Sequence, residues 1–364
     1  MNVDRIFCLA GFILSSVAGG AWAETMVYVS EGKDNQIGVY SMDEATGELS
    51  EVEKVALGGS PGCLALSKDG TKIYAAVRTT AEFATLEIDE DTGRLREVGS
   101  VPAAGGAAYI WVDATGEWLL AAYYRDGLVS SSRIEDGLVT GEPVSVLEVG
   151  EKAHCIQTDP SNGYAFCPHT MDLNKVDQFT FDAETGELIL NPAGAAMAGA
   201  EGAGPRHLQF HPNGKWVYLV NEQGKSVSRC DFDGVSGTLT LRETVSTHPE
   251  DWDPSEGSCA DIEITTDGKF LYASNRGHNS IAGFSIDGDT GELTALGQTP
   301  TGDTPRSFNL VPVGNEEFVV AAGQRSDTLT VYRRDAATGV LTKIETIPSG
   351  GGPAWVLAVS ENSD

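Results

Sequence analysis

Five arginines, Arg78, Arg125, Arg206, Arg276 and Arg306, occupy matching places in a repeating chain that has only 24 lysines and arginines in all. Five further polar residues, His154, His169, His207, Asp261 and Glu222, together with Gln324, stand at the same kinds of place. Guanidinium groups on one surface hold a carboxylate or a phosphate through paired, planar hydrogen bonds. An imidazole or a carboxylate among them can move a proton during a reaction. The set therefore points to a small anionic ligand. Each arginine also has a plainer use, tying neighbouring segments through carbonyls or pairing with an acid, as Arg125 could with Asp126.

Other chemistry is disfavoured. The chain has no G-x-S-x-G elbow, no phosphate-binding P-loop and no G-x-G-x-x-G fingerprint. No CxxC or Cys/His ligand spacing appears, so neither a metal nor another cofactor is called for. The stretch from His248 to Glu256 carries several carboxylates and one histidine. It could form a lid or a metal loop, but without defined ligand spacing it reads as a solvated acidic loop. Cys155 and Cys167 could bridge across a hairpin or remain two buried thiols, and the second state is expected. His211 is expected to be structural and His278 to sit on a rim.

The elements that position these residues emerge from a repeat. Asp43-Glu-Ala-Thr-Gly-Glu-Leu49 returns as Asp89 to Leu95, Asp182 to Leu188, Asp287 to Leu293 and Asp335 to Leu341. Asp233 to Leu239 is a variant and Glu135 to Leu138 a shortened form, giving seven copies spaced roughly 50 residues apart. Aspartate and glycine supply the turn geometry that bulky residues resist. A second turn family, such as Lys68-Asp-Gly-Thr-Lys72 and Pro212-Asn-Gly214, lies between the copies. Each unit then holds four short strands, A to D, with A and B buried and C and D more polar.

This is the pattern of an all-β, seven-bladed β-propeller with four antiparallel strands per blade. Its ends are complementary. Pro353–Val359 reads as an A strand without successors, while Met26–Ser30, Gln36–Met42 and Leu49–Val55 read as B, C and D without an A. Pairing them completes one blade, joins the ends of the chain and removes an open edge. In this topology the starts of A and the ends of B share one face. His154, Arg206, His207, Asp261 and Arg306 are at starts of A; Arg78, Arg125, His169, Glu222 and Arg276 are at ends of B.

Composition bounds the partners. The chain of 364 residues has 53 acidic side chains and a formal charge of −29. That balance argues against nucleic acid and against docking on anionic lipid. Ile6 to Val17 is apolar and Ala21-Trp22-Ala23 is a small-x-small cleavage site, so residues 1–23 read as a secretory signal peptide. Residues 24–364 then form the propeller, exported to the periplasm or beyond and expected to be a monomer without membrane attachment.

Gly204-Pro-Arg-His207, Val217-Tyr-Leu-Val-Asn-Glu222 and Phe270-Leu-Tyr-Ala-Ser-Asn-Arg-Gly277 resemble the bacterial lactonase family of seven-bladed propellers. The resemblance covers essentially the whole chain after residue 23. It implies 6-phosphogluconolactonase or carboxy-cis,cis-muconate cyclase chemistry. It further implies a catalytic set of His154, Arg206, Glu222 and Arg276, in which Glu or His handles the proton and the arginines hold anionic charge. Substrate contacts are expected from His207, Asp261, Arg306, Arg78, Arg125 and His169. Val77-Arg78 and Tyr124-Arg125 depart from the family pattern, so the rim of the pocket is expected to differ. The expected activity is opening of a sugar-acid lactone. The alternatives are a non-catalytic binder of an anion or protein, and a muconate-type cycloisomerase.

Overall fold

The computed structural model describes residues 25–197, 199–253, 255–314 and 316–360. The signal peptide read over residues 1–23 lies outside the described residues. Among the described residues, twenty-eight strands form seven four-stranded antiparallel sheets around an axis. One short 3-10 turn, Met171–Leu173, is the helical element among the described residues.

The expected closure is present. Pro353–Val359 pairs antiparallel with Thr25–Glu31, and the same sheet continues through Gln36–Met42 to Leu49–Ala56. Counting from Pro61, the inner A strands are Pro61–Leu66, Tyr109–Val112, Gln157–Thr158, Pro205–Phe210, Ser258–Ile264, Pro305–Val313 and Pro353–Val359. They define blades one to seven.

The core lies between neighbouring sheets. Val27, Val29 and Met42 of blade seven pack with Val311, Phe318, Val320 and Leu329 of blade six. One expectation is corrected here: C strands are not outer strands in burial. Gln36–Met42 and Glu82–Ile88 are almost wholly buried, because each is covered by the adjoining blades on both sides. The D strands are the more exposed ones, and Thr238–Ser246 alternates between exposed and partly buried residues along most of its length.

The aspartate turns are also the fasteners between blades. Asp287 Oδ1 accepts from the backbone N–H of Thr290 at 2.8 Å and from Asp289 at 3.0 Å, closing the turn on itself. Gly291 then has φ 74°, a left-handed value that glycine adopts freely. A Cβ there would also lie 2.5 Å from the Trp216 ring of the preceding blade. Tyr218 Oη donates to the Gly291 carbonyl at 2.6 Å. Tyr28, Tyr74 and Tyr272 repeat the arrangement with Gly93, Gly137 and Gly339. These turns lie on the face away from the arginines. His211 is there too, its Nε2 2.9 Å from the Gly268 carbonyl.

Candidate active site

Successive side chains of a strand point to opposite sides, so alternate residues of each A strand face the axis. The Pro-Arg-His segment uses this. Arg206 and His207 follow the proline that opens the blade-four A strand, and the register shifts between Pro205 and His207. That irregularity lets both long side chains reach the centre.

Glu222 is the hub. Its carboxylate lies 3.1 Å from Arg206 Nε on one side and 3.1 Å from Arg276 Nη2 on the other. Arg276 Nη2 also donates to the Cys259 carbonyl at 2.6 Å, and Arg206 Nη1 donates to the Ala260 carbonyl. Both guanidinium groups are thereby anchored to the blade-five A strand. Among the described residues, Arg78, Arg125 and Arg306 have no carboxylate within ion-pair distance. Burial and neighbouring guanidinium groups pull Arg306 down to about 9 and Arg206 to about 10. Both stay cationic at neutral pH, so the site carries positive charge that its own acids do not balance.

Two buried imidazoles lie against this cluster. His154 and His207 have ring centroids 5.1 Å apart. His207 Nδ1 is 2.7 Å from Asp261 Oδ1. Asp261 is buried, and its other oxygen accepts from the Phe308 N–H at 3.3 Å. Burial pushes His154 well below the ordinary imidazole value, reinforced by Arg206, His207, Arg306 and Arg276. Burial and Arg206 bring His207 down to about 4, against the opposing pull of Asp261. Both rings are neutral at neutral pH. His154 Nδ1 and Arg276 Nε are buried without a hydrogen-bond partner, while Arg206 Nε meets Glu222 as an ion pair.

Three cavities show how a ligand would reach these groups. An outer cleft of about 560 Å³ is lined by Ser60, Arg78, Thr79, Gly106, Arg125 and Asp126. Arg78 also borders an inner cavity of about 10 Å³, shared with His154, Arg206, His207 and Arg306. Below it Tyr109, His207 and Trp355, from three A strands, form an aromatic collar with centroids 5.2, 5.4 and 5.9 Å apart. The collar separates the arginine side from a cavity of about 330 Å³ towards the opposite face, where Gln209, Glu263 and Asn309 meet Trp111 and Leu357.

The structure thus brings His154, Arg206, Glu222, Arg276, His207, Asp261, Arg306 and Arg78 together. Arg125 stands in the outer cleft. His169 is not brought into this set: it is fully buried, with Nε2 2.9 Å from Asp177 and Nδ1 3.2 Å from the Glu151 carbonyl. Asp261 acts on His207 and on backbone, not on open space. Cys155 and Cys167 are free thiols, as are the other described cysteines. Among the described residues no three His, Cys, Asp or Glu side chains gather as a metal site.

Two groups were missed. The collar residues Tyr109 and Trp355 sit in apolar runs that carry no signal of their own. The loop from His248 is not merely a solvated acidic loop: His248 stacks on Trp252 at 6.0 Å, and His278 meets Trp252 edge-on at 4.7 Å. This aromatic stack lies beside the Arg276 backbone. The recurrence of His and Trp in that stretch was the available signal.

The fold and site together define a closed seven-bladed propeller that carries a cluster of arginines beside two buried imidazoles at one mouth of its axis. Residues 25–358 match the family described as "Lactonase, 7-bladed beta-propeller", and the chain belongs to that family. It is 33% identical over 338 residues to 6-phosphogluconolactonase of Pectobacterium carotovorum, covering 93% of this chain and 99% of the relative. It is 34% identical over 330 residues to 6-phosphogluconolactonase of Yersinia pestis, covering 91% and 96%. Among solved structures, the periplasmic gluconolactonase of Pseudomonas aeruginosa superposes with TM-score 0.84 at 25% identity, covering 93% of this chain and 99% of that one.

Proposed function

We propose that this protein is an exported lactonase that opens the ring ester of a sugar-acid lactone, holding an anionic group of the substrate with its arginines. The observation that carries the proposal is the excess of guanidinium charge at one mouth of the axis: buried Arg206 and half-buried Arg276 share one carboxylate, while half-buried Arg306 and exposed Arg78 have none among the described residues. Family membership supplies the reaction type. His154, Arg206, Glu222 and Arg276 form the working set. Glu222 orients the two arginines it bridges. Arg206 and Arg276 then face the ring carbonyl and stabilise the negative charge that builds on its oxygen when water attacks. Arg306, Arg78 and Arg125 line the path an acidic or phosphorylated substituent would take.

Export fits the Ala21-Trp22-Ala23 site and the periplasmic location named for the Pseudomonas relative. The reading includes a monomer, since pairing of Pro353–Val359 with Thr25–Glu31 completes the seventh blade within one chain. The test is a hydrolysis screen with phosphorylated and unphosphorylated aldonolactones, using Arg206→Ala as control. Turnover by the wild-type protein with loss in the variant is expected. Anion binding without turnover of any lactone would replace the enzyme reading with that of a binding protein. The N-terminal residue of the exported form, expected at Glu24, checks localisation.

A further inference from the structure

Opening a lactone with water needs a proton acceptor, and Glu222 is poorly suited to it. Both of its oxygens face guanidinium groups at 3.1 Å. Each oxygen is thus already engaged by a guanidinium group, and the carboxylate serves to hold the two arginines in place.

His207 differs. Asp261 is held ionised: burial would raise it, but His207 and Arg206 together pull it below the ordinary carboxylate range. As an ionised acceptor 2.7 Å away, it places the ring proton on Nδ1 and leaves the Nε2 lone pair as the basic position. Arg206 Nη1 does not occupy that lone pair. It lies 3.0 Å from Nε2 and also 3.4 Å from Nδ1. A nitrogen in the ring plane on the Nε2 side would be about 5 Å from Nδ1, so this guanidinium lies over the ring face. The in-plane lone pair remains available.

The inner cavity bordered by His154, Arg206, His207 and Arg306, about 10 Å³ in volume, is on the scale of one water. His154 Nδ1 is buried and unpartnered beside it. The ring of His207 is fixed by Tyr109 and Trp355 on its remaining sides. The other titratable groups around it stay neutral or cationic. Burial raises Tyr109, Cys63 and Cys155, while Arg206, Arg306 and Arg78 carry positive charge.

We propose that His207, positioned by Asp261, is the general base of this site, drawing a proton from the attacking water held against His154. The assignment rests on the lactonase reading and names the proton acceptor within it. As the water oxygen bonds to the ring carbonyl carbon, Nε2 takes one water proton and the carbonyl electrons move to the oxygen facing Arg206. When the carbonyl re-forms, the ring C–O bond breaks. The departing oxygen takes its electron pair and receives the proton from Nε2. One water is consumed, one hydroxy acid is formed, and the acid loses its proton to solvent.

The experiment uses 6-phospho-D-glucono-1,5-lactone and D-glucono-1,5-lactone, with spontaneous opening subtracted, and follows whichever one the wild-type protein opens. His207→Gln is expected to lower kcat by about 10²–10⁴-fold while KM stays within about threefold. Asp261→Asn is expected to lower the plateau and to shift the acid limb of kcat to lower pH. The direction follows because Asp261 raises His207, so its neutralisation makes the imidazole harder to protonate. A limb position does not depend on how much protein is folded, so this readout survives a destabilised variant. Kcat within tenfold of wild type in His207→Gln, or an acid limb unmoved in Asp261→Asn but abolished in Glu222→Gln, overturns the assignment while leaving the lactonase standing. A wild-type protein inert toward both lactones overturns the lactonase reading and this assignment with it.

Discussion

Replacing Glu222 with glutamine removes the one charge that the two anchored arginines share. The side chain keeps its size and one acceptor oxygen, so packing is largely preserved. What is lost is an ion-pair partner 3.1 Å from each of two guanidinium groups, one belonging to a residue only 1% exposed. Breaking a fully buried pair costs about 3–5 kcal/mol. The Glu222 side chain is 17% exposed, and the amide oxygen still accepts, so the expected loss is about 2–3 kcal/mol. With an unfolding entropy of about 2.1 cal/mol/K per residue over roughly 330 residues, Tm falls by about 3–4 °C. The paired guanidinium groups then stand open to a dissolved anion. Phosphate at ten times its dissociation constant restores about 1.4 kcal/mol, or roughly 2 °C. Differential scanning calorimetry in phosphate and in chloride of equal ionic strength measures both effects. The phosphate-induced rise should be larger in the variant than in the wild type, where Glu222 already lies between the arginines. A Tm within 1 °C of wild type, or an equal phosphate response in the two proteins, would refute the bridge as the feature that holds the cluster together.

Other outcomes follow from the same geometry. Arg306→Ala should mainly raise KM for an anionic lactone, by about tenfold, since Arg306 has no carboxylate of its own to hold among the described residues; steady-state kinetics reads the split. Tyr218→Phe removes the buried hydrogen bond to Gly291 and should cost about 1–2 kcal/mol in thermal unfolding, leaving kcat unchanged. Stability should decline as pH falls from the ordinary imidazole value of 6.5 toward about 4, because His207 resists protonation in the fold and accepts it readily when unfolded. His207→Gln should flatten that decline in Tm against pH. Truncation before Pro353 removes the inner strand of blade seven; circular dichroism should then show loss of the cooperative β transition.

The blade count and closure were legible because turns leave chemical marks. An Asp that caps its own loop and a glycine at positive φ, as at Asp287 and Gly291, can be read in one dimension. The starts of A strands were legible for the same reason, since Gly204-Pro-Arg-His is a local motif whose place next to the axis follows from blade order. His169 shows where that logic ends. It follows a B strand, one layer out from the axis, and an imidazole is too short to span that layer as Arg276 and Arg78 do. It turns to Asp177 on its own blade instead. The collar was illegible for a different reason: Tyr109 and Trp355 are far apart in sequence and meet only after the ring closes. Burial of the C strands was likewise hidden, because their polar residues find partners across blades, as Ser131 does at the Gly186 carbonyl.

The aromatic collar turns the axis from a passage into a blind well. A ligand on the arginine face then enters and leaves among the same guanidinium groups, past Arg78 at the outer cleft or past the partly exposed Arg276. On the proposed function, ring opening gives the departing molecule a carboxylate that the arriving lactone lacked, and arginines that admit the one would detain the other. The released acid should therefore compete with fresh lactone for the same entrance, and the pace of the cycle at high substrate should be set by departure, easing as salt screens the guanidinium charge.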